Sequence, residues 1–221
     1  MREIFALGGV FLKTTLFHFQ EKREVQNRFP NFIPYSRAFK KAYRFSNPFH
    51  ICKEFLQKKN APIVDAYGET PLPVLARIVT QCALSEKDHL IEMGCGRGKG
   101  VFFFSHLTGC SATGIDWVPT FIEKARTIAQ SVKPTLSVEF RCQDMMDVDL
   151  STATCIYLYG TCYEDEVIEA LASRFATLNS SVKIVTVSYP LSEYHSKFYT
   201  ETQWTGSFPW GEGEIYLNRL K

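Results

Sequence analysis

The chain has 221 residues, of which 45% are hydrophobic and 22% charged, and its formal net charge is +2. That length can bury one good core, and the ordinary globular composition, with no repeat and no low-complexity tract, excludes a fibrous or repetitive chain. The charge is uneven, because residues 1–59 hold 12 Lys and Arg against 4 Asp and Glu while residues 60–221 hold 13 against 19.

Ten of the 18 Phe also lie in the first 59 residues. We therefore read residues 1–60 as a basic, aromatic, helical segment joined to a mildly acidic domain over 61–221. Its Lys and Arg suit either a solvated helical cover or a surface facing a nucleic acid or an acidic protein. Helical stretches are expected at 3–19 and 36–59, with Pro30 and Pro34 between them and Pro48 opening a second helix. The apolar start from Met1 to Leu12 is interrupted by Lys13 and His18, well short of the roughly 20 residues of a membrane span, so membrane attachment is not expected. The 7 cysteines are dispersed with no Cys-x-x-Cys pair, the pattern of reduced thiols in a cytoplasmic protein.

Tyr67 to Pro73 reads as a loop and Val74 to Leu84 as a helix. Strands are then expected at 89–93, 111–115, 136–142, 154–159 and 182–188, with helices at 98–107, 118–131 and 164–178. Two further strands in 202–206 and 214–220 would close the sheet edge as an antiparallel hairpin. The fold class is α/β, a mostly parallel, Rossmann-like, seven-stranded sheet with helices on both faces.

The stretch from Leu90 to Gly100 ends an apolar strand on a carboxylate, Glu92, and then alternates glycines at Gly94, Gly96, Gly98 and Gly100. Such a turn lets backbone approach a nucleotide-like ligand and aims amide N–H groups at it. The dinucleotide fingerprint fails, since its sixth position falls on Lys99 or Val101. The P-loop fails too, since Gly100 stands where Ser or Thr belongs and Met93 where the first Gly belongs. What remains, carboxylate-x-Gly-x-Gly-x-Gly, resembles motif I of the methyltransferases that use S-adenosylmethionine.

On that resemblance the glycines, with Cys95, cradle the cofactor. Asp116, 18 residues after Gly98 and next to Trp117, could accept the ribose hydroxyls or cap the following helix. Asp144 could take the adenine amino group while Met145 covers the ring, although Met146 makes a plain core role for the methionines equally natural. Glu92 should face the cationic amino end of the cofactor. Tyr159, Gly160 and Thr161 end the fourth strand nearest the reacting methyl group, where Thr161 could also cap a helix. Cys95 has no His at a recognisable spacing, so a nucleophilic role is set aside. No metal site is expected.

From about Tyr67 to the C-terminus the chain resembles the DOT-type (disruptor of telomeric silencing) lysine methyltransferases. Tyr67-Gly68-Glu69-Thr70 matches that family's loop I, Val-Tyr-Gly-Glu-Thr, which lies over the cofactor; the resemblance implies that Tyr67, Glu69 and Thr70 bind it. Glu92 to Lys99 stands for Asp-Leu-Gly-Ser-Gly-Val-Gly-Gln, Gly114-Ile115-Asp116 for Gly-Ile-Glu, Asp144-Met145 for Asp-Phe, and Gln203-Trp204-Thr205 for a Ser-Trp-Thr turn. The family's Asn-Asn-Phe at the lysine channel is replaced by Tyr159-Gly160-Thr161. The expected reaction is in-line methyl transfer to a protein lysine amine, with Tyr67, Tyr159 and Thr161 shaping the channel and desolvation keeping the amine neutral. Methylation of an RNA base or a small molecule, and a cofactor-binding module without catalysis, are the alternatives.

Overall fold

The computed structural model describes the backbone of residues 2–221 and the side chains of residues 14–221. Short runs buried on both faces form the parallel strands β1 (His89–Met93), β2 (Ser111–Asp116), β4 (Cys155–Leu158) and β5 (Lys183–Val187), and β3 (Val138–Cys142), with only Phe140 buried, is the parallel edge strand. A long hairpin, β6 (Phe198–Phe208) and β7 (Gly211–Leu220), completes a seven-stranded sheet of order β3-β2-β1-β4-β5-β7-β6. β7 runs antiparallel to both β5 and β6. The direction of strand progression reverses between β1 and β4, which leaves a crevice at their carboxyl ends.

The helices are α1 (Arg2–Arg28), α2 (Ile33–Ala42), α3 (Pro48–Lys58), α4 (Leu72–Gln81), α5 (Lys99–Thr108), α6 (Pro119–Ser131) and α7 (Asp165–Phe175). The first runs well past residue 19, because Gln20 to Arg28 contains no breaker and the helix meets Pro only at residue 30. The expected 36–59 stretch is two helices. Asn47 opens α3 by accepting the Phe49 N–H at 2.9 Å, with Pro48 in the first turn where its missing N–H costs nothing. β6 begins at Phe198 rather than 202, and its inward alternation is masked by an irregularity between Thr200 and Thr202.

Helix α5 explains why the N-terminal helices are part of the core. Val101, Phe102, Phe103 and Phe104 are consecutive and all fully buried, so apolar groups surround the helix and one packing partner cannot cover them. Phe104 turns to Tyr157 of β4 and Phe102 to Phe140 of β3, while Phe103 points outward into Phe29 and Phe32, both edge-to-face at 5.0 Å. Val25, Phe32, Tyr35, Phe39 and Tyr43 thus share one core cluster with the sheet. Among the described residues no helix is long and apolar enough to cross a membrane. The side chains of the apolar start, Met1 to Leu12, lie outside the described residues.

Candidate active site

The carboxyl ends of β1, β2, β3 and β4 ring a cavity of about 170 Å³. Gly94 and Gly96 line it from β1, Asp116 and Trp117 from β2, Asp144 and Met145 from the loop after β3, and Tyr159 and Thr161 from the loop after β4. Tyr67 and Gly68 cover it, and Cys52 and Leu56 of α3 close another side. A recess that shares Gly94 and Tyr159 continues past Glu69, Thr70, Glu92, Cys95 and Lys99. The structure thus gathers residues scattered over more than 90 positions of sequence.

The glycine turn has φ of +70° at Gly94, +52° at Gly96 and +79° at Gly98, the left-handed region that a Cβ disfavours. Backbone bonds pin it, Gly98 N–H to the Cys95 carbonyl and Cys95 N–H to the Ile115 carbonyl, both 2.8 Å. Gly98 itself faces Phe140 rather than the cavity, and Gly160 faces Tyr189 and Tyr163. The Cys95 thiol is buried and its pKa stands well above the ordinary value through burial and the nearby Asp116 and Glu92, so it is a neutral packing group.

Asp116 does two jobs at once. One oxygen accepts the Gly96 N–H at 2.7 Å and the other the Val118 N–H at 2.8 Å, just ahead of α6, and the carboxylate still lines the cavity. Burial lifts its pKa to about 6, against the lowering effect of those N–H bonds. Asp144 accepts the Met146 N–H at 2.9 Å, which shapes the short turn holding Met145 at the cavity, while Met146 packs into the core.

Above the turn, Glu69 takes a fork from Arg97, Nε to Oε1 at 2.5 Å and Nη2 to Oε2 at 2.6 Å, and its Oε1 also accepts the Tyr67 hydroxyl at 2.6 Å. Burial alone would raise Glu69; the Arg97 bonds, the Lys99 charge and the Tyr67 hydroxyl override it and hold the carboxyl near 2. Thr70 is buried and hydrogen-bonded to the Tyr157 hydroxyl, tying this loop to β4. The Tyr67 ring lies against Gly96 and Phe121, so its phenol serves the loop rather than standing free.

Glu92 is the anomaly of the site. It is only 8% exposed and its Oε2 has no hydrogen-bond partner. Burial and the charge of Glu69 push its pKa to about 8, against one N–H from Val101. A buried, orphaned carboxyl is costly unless something binds it. On the other side, Tyr159 lies against Gly68, stacks on Phe208 and accepts the Trp210 indole N–H at 3.1 Å. Thr161 is half-buried beside Cys162. Among the described residues no cluster of His, Cys, Asp and Glu could hold a metal ion.

Residues 90–188 match the methyltransferase domain family. That match covers just under half of the chain. Its mostly parallel, seven-stranded sheet with flanking helices is the Rossmann-like methyltransferase fold, shared with solved structures that hold S-adenosylmethionine or S-adenosylhomocysteine. Similar structures include an RNA methyltransferase from Salinibacter ruber in complex with S-adenosyl-L-homocysteine, 24% identical with a TM-score of 0.55 over 68% of this chain and 93% of that one. Magnesium protoporphyrin IX methyltransferase from Synechocystis, with bound cofactor, has a TM-score of 0.54 at 13% identity over 95% and 97% of the two chains. A curated relative, methyltransferase phqN of Penicillium fellutanum, is 23% identical over 103 residues, 45% of this chain. That match spans 32% of the relative's length.

The site's chemistry fits the cofactor. Orphaned Glu92 suits a cationic amino group, and the glycine turn leaves room for a thioether chain. The carboxylate of Asp116 is placed to accept ribose hydroxyls, and Met145 and Leu56 offer apolar faces to a purine. Sequence reasoning missed Cys52, Leu56 and Tyr163. The first two reach the cavity only through tertiary packing of α3. Tyr163 left a usable signal, since it follows β4 by five residues on the side where ligands lie.

Proposed function

We propose that this chain methylates the side-chain amine of a protein lysine. The observation that carries the reading is the character of the β4 end of the cavity, where Tyr159, Thr161, Cys162 and Tyr163 are the facing groups, with no His, Asp or Glu among them. A neutral amine attacks without a strong base, whereas a hydroxyl or carbon acceptor demands one. Bound there, S-adenosylmethionine supplies an electrophilic methyl on a sulfonium. The protein's part is to orient the amine and exclude water, so that desolvation by Tyr67 and Tyr159 favours the uncharged form. The stacked rings of Tyr159, Phe208 and Trp210 offer an aromatic face to an incoming alkylammonium, an attraction worth about 0.5–2 kcal/mol.

Tyr159→Phe and Thr161→Ala should each lower turnover on a protein fraction while S-adenosylhomocysteine affinity is kept; unchanged turnover in both would defeat these assignments. An RNA acceptor is the second reading, favoured by the basic α1–α3 region, where Phe45 and Phe49 are exposed and Arg44 lies 5.2 Å over the Phe45 ring. All seven cysteines are free, which suits the reducing, cytoplasmic setting proposed for either substrate.

A further inference from the structure

Helices α1 and α2 enclose a groove of about 490 Å³, separate from the cavity at the strand ends. Lys22 and Gln26, one turn apart on α1, lie on one wall, and Ser36, Arg37 and Lys40, which share a face of α2, lie on the other. Two further cations at its edge are already engaged. Arg97 forks onto Glu69 and lies 4.9 Å over the Tyr43 ring, and Lys99 is 3.5 Å from Glu21. Lys22, Arg37 and Lys40 are exposed, and among the described residues none of the three forms an ion pair.

Glu21 cannot neutralise them. It is the one acid among the described residues that line the groove, and it already serves Lys99, His18 and the Leu72 N–H, the last at 3.1 Å. Unmatched positive charge on the walls of a concavity focuses the field there and draws an anion. The floor says which kind. Val25, Phe32, Phe39 and Leu72 make it apolar, and the two rings are only 0% and 5% exposed, so no aromatic face is free to stack a base. Phe45 and Phe49, the exposed rings of this region, do not line the groove. Carboxylates carried on short methylene arms fit both the cations and the floor.

We propose that the groove docks an acidic segment of the protein that is methylated, its carboxylates paired with Lys22, Arg37 and Lys40. The substrate role rests on the protein-lysine reading, whereas the capture of an acidic peptide does not. Arg97 joins the groove to the site, because it lines the groove while its fork to Glu69 holds the loop whose Tyr67 covers the cavity. A lysine near the docked segment is therefore presented at a raised effective concentration beside that loop.

Fluorescence anisotropy on the full chain tests the groove, with labelled octaglutamate and, as the competing polyanion, octauridylate. Wild type should bind octaglutamate more tightly, and added salt should weaken the complex. Lys22→Glu, Arg37→Glu and Lys40→Glu together should weaken octaglutamate at least about tenfold, while Lys41→Glu, Arg44→Glu and Lys58→Glu, an equal charge change outside the groove, should keep it within about threefold. Equal losses in the two triple variants, or tighter binding of octauridylate that the groove variant abolishes, overturn the proposal. Saturating octaglutamate should also suppress methyl transfer from labelled S-adenosylmethionine into extract protein; binding without suppression overturns the substrate role. A wild type that binds octaglutamate through these residues yet labels no protein overturns instead the protein-lysine reading.

Discussion

The phenol oxygen of Tyr163 stands 2.7 Å from the point where a Cβ on Gly94 would lie, and the Tyr163 ring lies similarly close to Gly160. The two glycines that keep the crevice floor low are thus overlain by one side chain from the β4 loop. Burial raises the Tyr163 pKa and the charge of Asp116 adds to it, so the phenol is neutral. Gly94→Ala should cost about 1–2 kcal/mol for its left-handed φ, add a clash with Tyr163, and weaken S-adenosylhomocysteine at least about tenfold. Gly94→Ala with Tyr163→Ala should recover the clash and leave the φ cost. Urea unfolding of both variants separates the two contributions, and full additivity would contradict the contact.

Glu69 and Arg97 hold the loop over the glycine turn. Because the folded pKa of Glu69 is near 2 and the ordinary value is 4.5, its stabilisation is fully present above about pH 4.5 and is lost as the pH falls toward 2. Arg97→Met should destabilise the protein by about 3 kcal/mol at pH 7, the low end for breaking a buried pair, and the deficit should shrink between pH 4.5 and 2. Denaturant curves at pH 7 and pH 3 check it; a deficit independent of pH would refute the account.

Glu92 works in the opposite sense. Its folded pKa of about 8 lies above 4.5, so the native state holds the proton more tightly and stability falls as the pH rises from about 4.5 to 8. Glu92→Gln should therefore be more stable than wild type at pH 8 and lose that advantage below pH 4.5, despite binding the cofactor less well. A bound ammonium favours the carboxylate, so cofactor binding at pH 7 should release a proton, read as a calorimetric enthalpy that varies with buffer.

Phe103 is where the N-terminal helices are joined to the sheet domain. Phe103→Ala should cost about 3–5 kcal/mol, as large-to-small changes in a tight core do, and loosen α1 and α2. Protease cleavage within residues 14–47 should accelerate in the variant; an unchanged cleavage rate would show that the helices are held elsewhere.

The parallel half of the sheet was legible because its strands are short apolar runs separated by helix-length segments, and the glycine turn because it breaks such a run. Asp116 and Asp144 could be placed from the same logic, as the carboxylates at or just past the ends of β2 and β3. The dual bonding of Asp116, to Gly96 and Val118, needed coordinates, since it depends on the relative height of two loops. Cys52 and Leu56 were beyond reach, for α3 meets the cavity by packing far from its sequence neighbours. That Phe102 to Phe104 are all buried, with Phe29 and Phe32 as their outer cover, needed coordinates too, since that cover comes from distant N-terminal residues.

Methyl transfer from S-adenosylmethionine labelled in its methyl group into a cell extract, with nuclease and with protease, tests the central claim most directly. The label should enter protein, resist nuclease, yield to protease and be recovered as methyl-lysine after acid hydrolysis. Label in nuclease-sensitive material, or none in any fraction from a chain that binds S-adenosylhomocysteine, would contradict it.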